Sequence, residues 1–130
     1  MAKTKDGTKL DEVLSLLKKE FFKNDKANDC FKIMKMLSAD QVIELYNENI
    51  TSAFEKLMED IDLVTSVVDL FKNNLNVSET SRDAYLHRNT LLYRLDKIQR
   101  LTGLNIKNFE DAVTFKMLLV IYYERKKIIK

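Results

Sequence analysis

The chain has 130 residues, 45% of them hydrophobic, with 22 Lys and Arg against 20 Asp and Glu for a net charge of +2. That length holds one domain, or one domain with a helical extension, and the apolar content excludes a disordered chain. With no proline and only two glycines, Gly7 and Gly103, the chain lacks the turn residues a sheet protein needs, so an all-α fold is expected.

Cys30 is the single cysteine, which excludes an internal disulfide and a cysteine-based zinc site. Its flanks, Asp29 and Phe31, read as part of an amphipathic helix with the thiol buried. The amino-terminal lysines have no apolar stretch behind them and no apolar run reaches transmembrane length, so a cytoplasmic chain without a membrane partner is expected. Charge is unevenly placed. Residues 1–61 hold 10 basic against 12 acidic side chains, and residues 62–130 hold 12 against 8. Between 86 and 107, Arg88, Arg94, Lys97, Arg100 and Lys107 stand against Asp96 alone. Positive charge gathered on one segment suits a phosphate-bearing partner.

The polar first nine residues are expected to be mobile. From there Leu10, Val13, Leu14, Leu17 and Phe21 keep helical spacing until Asn24-Asp25-Lys26 interrupts it. A short helix carrying Cys30, Ile33, Met34 and Leu37 comes next. Ser38 with Gln41 predicts a capping box. The helix it opens presents Val42, Tyr46, Ile50, Ala53 and Leu57 on one stripe and is expected to run to Met58. A break near Glu59 divides an N-terminal helical region, 1–59, from a C-terminal module, 60–130. Asp60 or Asp62 then starts a helix with Val64, Val67, Val68, Phe71 and Leu75 facing inward.

Asn73-Asn74-Leu75-Asn76 ends that helix, and Ser78 is expected to cap a short one from about Glu79 to Tyr85. A tight connection at Leu86-His87 leads into a basic helix, about 88–101, whose inward stripe is Leu91, Leu95 and Ile98. Gly103 supplies a left-handed stop. Asn108 with Asp111 caps the last helix, Phe109 to about Lys127. Phe115 and the run from Met117 to Tyr123 make that helix apolar on too many sides for one core face. We expect part of it in the core and part in a dimer contact, with burial against the chain's own N-terminal helices as the alternative.

A short helix, a tight turn and a basic helix form the layout of a helix-turn-helix, whose second helix lies in the DNA major groove with its first residues at base edges. Around the axis Asn89, Tyr93, Asp96 and Arg100 lie opposite the apolar stripe, with Arg88 and Thr90 exposed at the first turn. Arg88 suits guanine O6 and N7, and Asn89 suits adenine. Thr90 and Tyr93 suit a phosphate or a thymine methyl. Lys97 and Arg100 lie further along, where backbone contacts are expected. Arg94 sits nearer the core flank, poised between DNA and an ion pair with Asp83 or Glu79. His87, the single histidine, has no nucleophile or second acid at a suitable spacing. It reads as a turn and cap residue, and no enzymatic activity is expected. Glu55, Glu59, Asp60 and Asp62 read as helix caps, so no metal or cofactor is expected.

Val77-Ser78-Glu79-Thr80-Ser81, the run Leu86-His87-Arg88-Asn89-Thr90-Leu91-Leu92-Tyr93-Arg94-Leu95, and Leu101-Thr102-Gly103-Leu104 closely resemble one family. It is the C-terminal helix-turn-helix of PucR/CdaR-type bacterial transcription regulators, related in design to the Fis-like motif. The resemblance covers about 60–124 and, loosely, 38–59. It implies a helical bundle containing a Fis-like helix-turn-helix, with DNA contacts at His87, Arg88, Asn89, Thr90, Tyr93, Arg94 and Lys97. Three positions depart from the family pattern: Ser81 replaces a usual alanine, Ala84 a leucine, and Leu92 a frequent basic residue. Larger members carry an upstream effector-sensing domain. About sixty helical residues are too few for one, so no small-molecule effector site is expected here.

Two functions fit these features. One is a sequence-specific transcription regulator that binds double-stranded DNA as a homodimer. The alternative is a helical protein–protein interaction module that keeps the fold without binding DNA.

Overall fold

The structure is a computed structural model that describes residues 2–22 and 36–129, with side chains described over 10–21 and 36–128. The described residues form an all-α fold. Helix α1 spans Ala2–Leu17 and passes into a π-helical turn at Lys18–Phe22. It begins well before Leu10, and residues 2–9 continue it although Thr4, Asp6, Gly7 and Thr8 are types of low helix propensity. Its stripe is the expected one, with Val13, Leu14 and Leu17 buried. The break at Asn24–Lys26 and the Cys30 helix lie outside the described residues.

Helix α2, Ala39–Asn49, opens on the capping box: Ser38 N donates to Gln41 Oε1 at 2.8 Å, and Gln41 N to Ser38 Oγ at 3.2 Å. It does not run to Met58. Ile50 and Thr51 are extended, and Thr51 Oγ1 accepts from Phe54 N at 3.0 Å to start a separate helix α3, Ser52–Leu57. Two β-branched residues in sequence favour extended backbone, and the threonine then caps α3. The break resets the helical phase, so Phe54 enters the core in place of Ala53.

Asp60 caps α4, Ile61–Lys72, its Oδ1 accepting from Asp62 N and Leu63 N at 3.0 and 3.2 Å. Then come α5, Val77–Asp83, α6, Arg88–Thr102, and α7, Phe109–Ile129. Leu75 is expected on the inward face of α4 but lies beyond its end, with φ 69°. Gly103 stops α6 at φ 79°, as its placement in the sequence predicts.

One core cluster joins α1, α3, α4, α6 and α7, including Leu17, Phe54, Leu70, Leu91, Ile98, Phe115 and Leu119. Helix α4 lies between α1, α5 and α6, and α2 packs along α7. Most of the surplus apolar surface of α7 is covered within the chain. Phe115, Leu119, Val120, Ile121, Tyr122 and Tyr123 are all buried. Phe54 meets Phe115 at 5.4 Å and Tyr122 at 6.0 Å between ring centroids, and Tyr46 lies 6.3 Å from Tyr122. Each such side chain contributes about 1.5–3 kcal/mol when fully buried, so intramolecular burial accounts for most of this helix. Phe109, Val113 and Met117, four residues apart on one face, stay exposed. Among the described residues, no helix is long and apolar enough to cross a membrane.

Candidate nucleic-acid interface

The interface is built by the way α4 hands over to α5 and α5 to α6. Helix α4 ends in a paired closure in which Leu75 N donates to Leu70 O at 2.9 Å and Asn74 N to Phe71 O at 3.2 Å. This geometry places Asn74 in the left-handed region, φ 54°. Asn76 then caps α5, its Oδ1 accepting from Glu79 N at 2.9 Å.

The cap is therefore Asn76 and not Ser78, because the chain has already turned by residue 76. Ser78 lies in the first turn, where its Oγ accepts from Arg88 Nη1 at 2.7 Å. That bond ties the first helix of the motif to the head of the second. Buried Thr80 and Ser81 satisfy their hydroxyls on Asn76 O at 2.7 Å and Ser78 O at 3.0 Å. The Ser81 departure from alanine is thus absorbed inside α5.

Helix α5 ends at Asp83 rather than Tyr85, and Tyr85 forms the turn at φ 55° with 96% of its surface exposed. His87 is the N-cap of α6: its Nδ1 accepts from Asn89 N at 3.1 Å. The only histidine therefore serves a backbone N–H, as a cap residue does. Helix α6 buries Leu91, Leu95 and Ile98, which fixes its rotation.

That rotation brings most of the expected site together. His87, Arg88, Asn89 and Thr90 are all exposed at the amino-terminal end of α6, where the helix dipole favours an anion. Tyr93 is exposed one turn later on the Asn89 side, with the Arg100 guanidinium 5.9 Å from its ring. Arg100 also pairs with Asp96, so part of the positive charge on this face is neutralised within the helix.

Arg94 and Lys97 point elsewhere. Half-buried Arg94 donates from Nη1 to the buried Ser66 Oγ of α4 at 3.2 Å, while Glu79 pairs with Arg82 at 2.6 Å. Lys97 lines a cleft of about 550 Å³ with Glu12, Glu59 and Asp60, on the side facing α1 and the α3–α4 turn. Sequence reasoning missed Ser78 and Ser66 as partners, and Tyr85 as the exposed turn residue. A serine inside a helix carries no signal of a partner ten or twenty-eight residues away. Among the described residues, no group of three His, Cys, Asp or Glu could hold a metal ion.

Residues 63–121 match the model of the PucR C-terminal helix-turn-helix domain. This segment is a PucR-type helix-turn-helix domain. The match begins inside α4 and ends inside α7, so it includes both helices of the motif and the helices that brace them. The chain is 30% identical over 93 residues to the purine catabolism regulatory protein of Bacillus subtilis (strain 168), covering 72% of this chain and 18% of that protein. It is 42% identical over 55 residues to the carbohydrate diacid regulator of Escherichia coli (strain K12), covering 42% of this chain and 14% of that protein. The chain thus spans less than a fifth of the length of either relative. No solved structure gives a significant match. In the PucR-type domain of this chain, the exposed block from His87 to Thr90 caps and opens α6, whereas Arg94 is braced against α4.

Proposed function

We propose that this protein is a transcription regulator that binds double-stranded DNA through α6, as a homodimer, with residues 60–130 as the reading module and 1–59 as its helical support. One observation carries the reading. Helix α6 buries Leu91, Leu95 and Ile98 and leaves His87, Arg88, Asn89, Thr90 and Tyr93 exposed on and beside its first turn. A helix held this way offers its amino-terminal side chains to base edges in a major groove. In this reading Arg88 and Asn89 read bases, Thr90, Tyr93 and the cap at His87 meet backbone or thymine, and Arg94 holds α6 on α4. Lys97 supplies long-range positive potential at the edge of the interface. The regulator names of both relatives support the same class.

The exposed stripe Phe109, Val113 and Met117 favours a second reading, a protein-binding module. A salt titration separates the two. Each phosphate neutralised releases counterions, so log affinity falls with log salt at a slope of about −0.9 per phosphate contact on duplex DNA. The regulator reading expects binding at low salt with a slope of several such contacts. Selection from a random duplex pool then expects paired half-sites about one helical turn apart, the mark of a two-fold dimer. Absence of affinity at low salt rejects the regulator reading, and unpaired selected sites reject the dimer.

A further inference from the structure

We infer that Tyr85 is a DNA-backbone contact, its phenol hydroxyl donating to a phosphate oxygen beside the head of α6; this inference rests on the DNA-binding reading above. Helix α5 closes as α4 does: Leu86 N donates to Ser81 O at 2.9 Å, and Tyr85 N to Arg82 O at 3.2 Å. That closure requires a left-handed residue at position 85. At the equivalent ends of α4 and α6 the chain uses Asn74 (φ 54°) and Gly103 (φ 79°), residue types that take this conformation most readily. Leu75 is left-handed as well, at φ 69°, but its side chain packs against the core beside Phe71.

Tyr85 has no such compensation. It carries a bulky side chain at φ 55° and leaves 96% of its surface in solvent. Among the described residues the ring neither packs against nor caps anything, although asparagine or glycine would relieve the strain. A strained residue that nothing internal stabilises points to a role outside the fold. Its place defines that role. Tyr85 stands two residues before the His87 cap and three before Arg88, in the turn that must run past the sugar–phosphate backbone when α6 enters the groove. Tyrosine hydroxyls are ordinary phosphate donors in such interfaces, and these contacts fix position without reading sequence.

A neutral phosphate contact has a signature that a cation lacks. It adds affinity without releasing a counterion, so its loss lowers binding at every salt concentration and leaves the salt slope unchanged. The test measures Tyr85→Gly, Tyr85→Asn and Tyr85→Phe by fluorescence anisotropy on a mixed-sequence duplex over a range of salt, with thermal melting alongside. We expect Gly and Asn to melt no lower than the wild type and to bind about 3- to 10-fold more weakly with the same slope. Phe, which lacks only the hydroxyl, shares most of that loss. Wild-type affinity in the Gly and Asn variants would overturn the inference while leaving DNA binding intact. A slope reduced by about one would also overturn it, since the effect would then run through a neighbouring cation such as Arg88. A lower melting temperature in both would make Tyr85 a folding contact and overturn it too. No binding by the wild-type chain would overturn the DNA reading and this contact together.

Discussion

Arg88 is already engaged within the chain, because its Nη1 donates to Ser78 Oγ at 2.7 Å. Guanidinium carries five donors in a planar fork, so one bond to Ser78 orients the group and leaves its other edge available to guanine. Replacing Arg88 with alanine should cost about 1–3 kcal/mol on the preferred site and flatten the preference at one base pair. Competition with single-base variants of the selected site measures this. Equal loss on every sequence would make Arg88 a phosphate contact instead. The block from His87 to Thr90 was legible because local chemistry fixes it: the cap, the first turn and the start of the apolar stripe are consecutive in the chain. The Arg88–Ser78 and Arg94–Ser66 bonds were not, since each needs the angle between two helices. Arg94 lies only six residues after Arg88, yet it turns toward α4 and meets a serine buried to 1% exposure.

Helix boundaries decide which faces are presented, and they depend on a few residues. A β-carbon built on Gly103 meets nothing within 4 Å, so alanine there suffers no clash and only the strain of φ 79°. Left-handed strain costs an L residue about 1–2 kcal/mol, offset in part by the lower unfolded-state entropy of alanine. Gly103→Ala should therefore lower stability by about 1 kcal/mol in urea melts, and Gly103→Asn by less. A loss well above that would mean that α6 and α7 depend on a closer approach at this turn. The stops and starts carried by one strong signal were readable: Ser38 with Gln41, and Gly103, whereas the start of α4 was open between Asp60 and Asp62 until the structure gave it to Asp60. Those with competing candidates were not. Asn76 and Ser78 are both good caps, and the choice falls to Asn76 because the closure at Asn74 and Leu75 has already reversed the chain. In the same way the Val42-to-Leu57 stripe looks continuous, while the extended pair Ile50-Thr51 divides it and brings Phe54 inward.

At the scale of the molecule, the composition of α7 signalled a need for burial and left two surfaces open, a dimer contact and the chain's own N-terminal helices. The answer lies in α2 and α3, elements more than fifty residues earlier, and Tyr122 marks the junction between Tyr46 and Phe54. Burial, with Glu55 and Glu59 adding to it, pushes the Tyr122 hydroxyl up from 10.0 to about 12. A tyrosine whose folded pKa lies above its unfolded value favours the fold in its neutral form. That contribution is complete below pH 10 and is lost as pH rises toward 12, because the unfolded chain releases the proton first. Solvent screening at the partly open hydroxyl keeps this contribution below the roughly 2–3 kcal/mol that a fully enclosed group would give. Denaturant midpoints should hold steady up to pH 10 and fall beyond it, and Tyr122→Phe should remove much of the fall while leaving neutral-pH folding largely intact. Because Tyr122 links the N-terminal helices to the helix behind the helix-turn-helix, the DNA affinity proposed above should decline over the same alkaline window in the wild type. If Tyr122→Phe declines as steeply as the wild type, the alkaline transition belongs to another group and this junction does not control it.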